Sequence, residues 1–115
     1  MFYAHHYQEV QSDEVKVDGA KNVSIRWLID EKKGAPNFAM RLFDISRGGN
    51  TPYHTHPWEH EVFVVSGTGK LIMSGQEYPL QAGSVVYVPP GVEHNFVNEK
   101  EVVLQMICVV PKGAK

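Results

Sequence analysis

A chain of 115 residues, 43% hydrophobic and 21% charged, has room for one core but not for a catalytic domain beside a separate regulatory one. Its formal net charge of -2 and pI near 6.3 give no electrostatic basis for a nucleic-acid partner or an anionic membrane. The single cysteine, Cys108, excludes an intrachain disulfide and with it a disulfide-stapled secreted scaffold.

The first ten residues, MFYAHHYQEV, have neither the basic start nor the long apolar run of a signal peptide, and no later segment is apolar for long enough to span a bilayer. A cytoplasmic protein is expected. Residues 1–20 are polar, with Tyr3, Tyr7 and Val10 as isolated anchors, and are expected to pack loosely or on a partner subunit. His5 and His6 are adjacent, so in an extended chain they point to opposite faces and read as solvated surface residues.

From Asn22 to Ile29, Val23, Ile25, Trp27 and Ile29 alternate with Ser24 and Arg26, the pattern of a half-buried strand. Phe38–Ile45 predicts a second strand, closed by Gly48-Gly49. Further strands are predicted at 54–56, 61–66, 69–73, 77–80, 84–88, 94–97 and 102–110. The turn signals between them are Gly67-Thr68-Gly69, Ser74-Gly75, Ala82-Gly83 and Pro89-Pro90-Gly91. Short strands at nearly even spacing, without a convincing amphipathic helix, predict one all-β domain over residues 1–115, a sandwich or barrel of the jelly-roll kind. Residues 112–115 read as a frayed tail.

Chemistry concentrates in Gly48–Gly67, GGNTPYHTHPWEHEVFVVSG, which holds three of the six histidines. In a strand His54 and His56 share a face. Pro57 cannot continue a central ladder, so the chain bends there and His60 can return towards the pair. His94 follows the Pro89-Pro90-Gly91 turn at the start of a strand, where it can complete the set. Neutral imidazoles suit divalent manganese, iron, nickel, copper or zinc, so His54, His56, His60 and His94 are the candidate ligands of one metal ion. A closed structural zinc site is the bland alternative, and a domain with a well-patterned core has little need of one.

The same residues resemble the cupins, in particular small single-domain cupins of the conserved-barrel type. Gly48, His54, His56 and Gly67 fall on the first cupin motif, G(X)5HXH(X)3,4E(X)6G. Gly83, Pro89, Gly91, His94 and Asn98 occupy every fixed place of the second, G(X)5PXG(X)2H(X)3N. The resemblance implies a double-stranded β-helix and commonly a homodimer. It departs at one position: with the Gly67 spacing respected, His60 stands where the family usually places a glutamate ligand, and Glu61 should face the other way. Small cupins with a four-histidine site have this arrangement. Four neutral imidazoles leave a divalent ion at +2 rather than the +1 of a shell with one carboxylate, which favours an anionic or enolisable small-molecule substrate. Because imidazole must be neutral to bind, metal should be released as pH falls below about 6.

Strand parity turns Phe96 inward with His94, Met106 and Cys108 inward from the last strand, and Arg41, Phe43 and Ile45 inward from the strand at Phe38. Arg41, Phe96, Met106 and Cys108 are therefore the candidate substrate-pocket residues. Ordinary core packing is the alternative for the apolar ones, an inert thiol for Cys108, and a snorkelling rim position for Arg41. By fold-level analogy the leading functional reading is a metal-dependent, dioxygenase-like oxidoreductase. A sugar isomerase or epimerase using Glu59 or Tyr87, and a non-catalytic binding module, are the alternatives.

Overall fold

A computed structural model describes residues 2–114, so Met1 and Lys115, the last residue of the expected tail, lie outside the description. The alternating segments form nine strands: β1 (Asp13–Glu14), β2 (Lys21–Ile29), β3 (Phe38–Asn50), β4 (His60–Ser66), β5 (Thr68–Met73), β6 (Gln76–Gln81), β7 (Val85–Val88), β8 (His94–Asn98) and β9 (Leu104–Pro111). Two single 3-10 turns, Tyr7–Glu9 and Glu31–Lys33, are the helical segments among the described residues.

All strand pairs are antiparallel, in the order β6-β5-β8-β3-β9-β4-β7, with β2 added to β3 and β1 to β2. The sheet curls into a jelly roll of the cupin type. Its two arms bury one cluster, in which Ile45, Val64 and Leu104 from one arm meet Leu71, Leu80 and Phe96 from the other. Ile45, Val64 and Leu104 are wholly inaccessible.

Two expected boundaries are corrected. β3 runs on through Gly48-Gly49 to Asn50, because its end is held on both sides: Lys21 of β2 pairs with Asn50, and Asn98 of β8 pairs with Gly49. Conversely, residues 54–56 do not form a strand. They make one isolated bridge, His54 to His94. Pro52 and Pro57 on either side have no N–H to give a ladder.

The two motif ends have physical reasons visible in the packing. Gly67 has φ +84°, and a Cβ there would stand 2.2 Å from the Val103 carbonyl oxygen, so glycine is required twice over. Asn98 is fully buried and ties three segments: its Nδ2 donates to Ile45 O and Val102 O, both at 2.9 Å, and its Oδ1 accepts from Lys100 N at 2.9 Å.

The N-terminal segment lies on its own chain. Arg26 Nη1 donates to the carbonyls of Tyr7 at 3.2 Å and Val10 at 2.6 Å, and Val15 N donates to Val23 O at 2.9 Å. His6 accepts from Gln8 N and caps the first 3-10 turn. At the other end of the chain, Lys112 N donates to Asn37 O at 2.9 Å, and Ala114 is buried against the core.

Candidate metal centre

Backbone pairing brings the two histidine segments together. His54 N donates to His94 O at 3.2 Å and His94 N returns to His54 O at 3.1 Å. Gly91 N, in the Pro89-Pro90-Gly91 turn, donates to His56 O at 2.9 Å, so that turn is fastened to the histidine loop. His60 opens β4, opposite Val88 of β7, and His94 opens β8.

One ring nitrogen from each of His54, His56 and His94 lies within 4.8 Å of the others. The opposite nitrogens are already engaged. His54 Nδ1 is 2.6 Å from Pro52 O, His56 Nδ1 3.0 Å from Trp58 O, and His94 Nδ1 2.8 Å from Val92 O. A carbonyl only accepts, so each Nδ1 carries the hydrogen and each Nε2 is left with a free lone pair. Three converging acceptors with no donor among them are suited to a cation, and carbonyl-oriented imidazole is the usual supporting arrangement of a metal-bound histidine.

His60 is not one of that three-nitrogen group, although it adjoins it. Its ring centroid is 4.2 Å from that of His56 and 5.2 Å from that of His94, and its Nε2 touches the Nε2 of His56. Its Nδ1 faces Cys108 Sγ at 2.8 Å and Arg41 Nη2 at 3.2 Å. Glu61 lies exposed on the opposite face of β4, as strand parity requires.

Electrostatics favour the neutral form of His56, His60 and His94. Desolvation, followed by the Arg41 charge, pushes the His60 pKa down to about 2. Burial lowers His56, against a backbone hydrogen bond to Trp58 that raises it, and burial lowers His94 against the bond to Val92. Protons therefore compete for these three rings less than for free imidazole, which favours metal retention below the pH of about 6 at which release is expected from the sequence. Burial raises the Cys108 thiol, with Arg41 opposing.

The histidines open into a cavity of about 310 Å3. Its walls are mainly apolar: Ile25 and Trp27 from β2, Phe43 from β3, Phe96 from β8, and Met106 and Cys108 from β9. Arg41 also lines it. It is 4% exposed, so it is a buried residue and not a snorkelling one. Glu59 and Tyr87, weighed as proton carriers, are not among the cavity residues. Met106 is both wall and core.

Two features of the site were not read from the sequence. Trp58 stacks on His56, with centroids 4.7 Å apart and planes at 8°, and nothing in the spacing of a lone tryptophan in a loop signals this. Val15, Lys16 and Val17 border the cavity from the N-terminal segment, which the polar composition of residues 1–20 conceals.

Solved structures with the same architecture include the polyketide cyclase RemF from Streptomyces resistomycificus, 33% identical, with TM-score 0.91 over 96% of this chain and 80% of that one. A protein described as a predicted oxalate decarboxylase from Thermotoga maritima is 20% identical with TM-score 0.84, over 96% of this chain and 99% of that one, a likeness of fold alone. An uncharacterized protein of Streptomyces coelicolor is 29% identical over 75 residues, 65% of this chain and 71% of its own. The Cupin domain family model matches residues 41–110, from the buried arginine of β3 to the penultimate residue of β9 and across both histidine segments. With more than half of its length so matched, this chain belongs to the Cupin domain family.

Proposed function

We propose that this protein is a metal-dependent cupin that takes up an apolar, enolisable polycarbonyl compound and promotes its cyclisation, as the activity named for RemF suggests. The carrying observation is the cavity: three imidazoles with free nitrogens, and a fourth beside them, open into a space walled by aromatic, aliphatic and sulfur side chains. His54, His56 and His94 would hold a divalent transition metal, and His60, whose Nδ1 accepts from Arg41, would join as the fourth ligand on giving up the hydrogen of its Nε2. Bound there, the ion would polarise a carbonyl and stabilise the enolate derived from it. The chain's own contribution is enclosure. Trp27, Phe43 and Phe96 exclude water and favour a folded conformer of a flexible chain over its extended forms.

The same walls weigh against a sugar substrate. Hydroxyls set against them would lack partners, at roughly 1–3 kcal/mol each. The dioxygenase-like reading uses the same histidines and remains the second candidate.

A linear β-polycarbonyl compound incubated with metal-reconstituted protein separates these readings. Cyclisation gives a product isomeric with the substrate, or lighter by water, without oxygen uptake. Stoichiometric oxygen consumption would replace this proposal with the dioxygenase reading, and binding without turnover would leave a binding module.

We also propose a homodimer formed through the outer face of β4 and β7. Phe63, Val65, Val85 and Tyr87 are exposed there side by side, with Phe63 directly opposite Val85. Light scattering of the wild type and of Val85→Glu checks it: a monomeric wild type excludes the dimer.

A further inference from the structure

We infer that Arg41 is an anion-binding group of the cavity in its own right, so that the compound filling the cavity carries a carboxylate seated on this guanidinium, apart from whatever group meets the metal. The inference depends on the preceding proposal only for the apolar body of the ligand.

The basis is an unbalanced buried charge. Arg41 is 4% exposed, yet none of the ion pairs among the described residues includes it. Its Nη2 meets Cys108 Sγ at 2.9 Å and His60 Nδ1 at 3.2 Å. Neither is an oxygen acceptor, and its Nε is buried without any hydrogen-bond partner. Arg26 Nε is likewise buried without a partner, but the rest of that guanidinium provides an internal contrast. Its Nη1 is 2.6 Å from Val10 O and 3.2 Å from Tyr7 O, so main-chain oxygens take up its charge. Arg41 has no such oxygen among its hydrogen bonds.

Part of the deficit is met by aromatic faces. The guanidinium carbon is 5.0 Å from the Phe43 centroid and 5.5 Å from the Trp27 centroid. Cation–π contacts of this kind offset only part of the penalty for desolvating an ion. No aspartate or glutamate lines the cavity, whereas Lys16 does so alongside Arg41. Arg41 is thus a buried cation of the cavity with no anionic side chain beside it, while Lys16 stands exposed at the border. An anion entering from outside supplies both an acceptor and the missing countercharge, and a planar carboxylate matches the donor fork of arginine.

The test is calorimetric titration of metal-free protein with 2-naphthoate and with 2-naphthamide, which share an apolar body and differ in charge. The naphthoate should bind at least about 10-fold more tightly, the effect of one charge-assisted contact. Arg41→Met should abolish that preference while circular dichroism remains native, and Lys16→Met should retain it. Equal affinities in metal-free wild type would overturn the inference, as would loss of the preference in Lys16→Met, which would transfer the anion site to the rim. A preference that appears only after metal loading would also overturn it, because the metal would then be taking the carboxylate. Binding of both probes with equal affinity leaves the apolar-cavity reading standing without the arginine role. Failure of both probes to bind removes both. If Arg41→Met does not fold, the wild-type comparison and Lys16→Met still decide the matter.

Discussion

Acid should destabilise the metal-free protein through His60 in particular. In the unfolded chain this imidazole takes up its proton near pH 6.5; in the fold burial and Arg41 hold the pKa at about 2. Above pH 6.5 the ring is neutral in both states and contributes no pH dependence. Below it, the unfolded state binds a proton that the folded state refuses, so stability falls at about 1.4 kcal/mol per pH unit. Between about pH 7.5 and about pH 4.5, two of the three units lie in that window, and His60 alone should remove about 3 kcal/mol. His56 and His94, also lowered by burial, act in the same direction. The assay is urea unfolding of metal-free wild type and His60→Asn at both pH values. The variant should lose about 3 kcal/mol less than wild type over the interval. Parallel losses would refute the argument, since they would mean that His60 is not held neutral by its surroundings.

Four further outcomes follow from the same coordinates. His94→Ala should lower metal affinity by more than the about 10–100-fold typical of supporting residues, read as ions per chain by elemental analysis, because it removes one of the three converging nitrogens. Gly67→Ala should cost at least about 2 kcal/mol in chemical unfolding, since its φ is positive and its Cβ would overlap Val103 O. Leu104→Ala, at a wholly buried position between the two arms, should cost about 3 kcal/mol by the same measurement. Divalent metal at 100 times its dissociation constant should add about 2.7 kcal/mol of stability, seen as a chelator-reversible rise in unfolding midpoint.

Most strand positions were legible because alternation and turn chemistry agree. Val23, Ile25 and Trp27 alternate, and the turns at Ser74-Gly75, Ala82-Gly83 and Pro89-Pro90-Gly91 interrupt the pattern where the chain reverses. That His60 and Glu61 face opposite ways followed from period two, and the motif spacing to Gly67 chose His60 as the inward one. Ser46-Arg47-Gly48-Gly49 was not legible as strand. These residues have no apolar face, and the β2 register passes over them from Ile45 to Asn50; the strand continues because its end is paired, Asn50 with Lys21 and Gly49 with Asn98. The cavity border at Val15, Lys16 and Val17 was hidden for a related reason, since a tertiary pairing, Val15 N to Val23 O, places it. Among the histidines, spacing suggested proximity, but the carbonyls that fix each tautomer, such as Pro52 O and Val92 O, emerge only from folded turns.

The seam in which His54 and His94 exchange two backbone hydrogen bonds, with Gly91 fastened to His56, separates two kinds of variation. Ligand placement is written in main-chain pairing of the histidine loop with β8 and the turn before it, whereas most of the cavity wall is carried by side chains of β2, β3 and β9. Substitutions at Ile25, Trp27, Phe43 or Met106 can therefore reshape what is admitted without moving the imidazoles. A lineage built on this scaffold can change its substrates while its metal geometry stays the same.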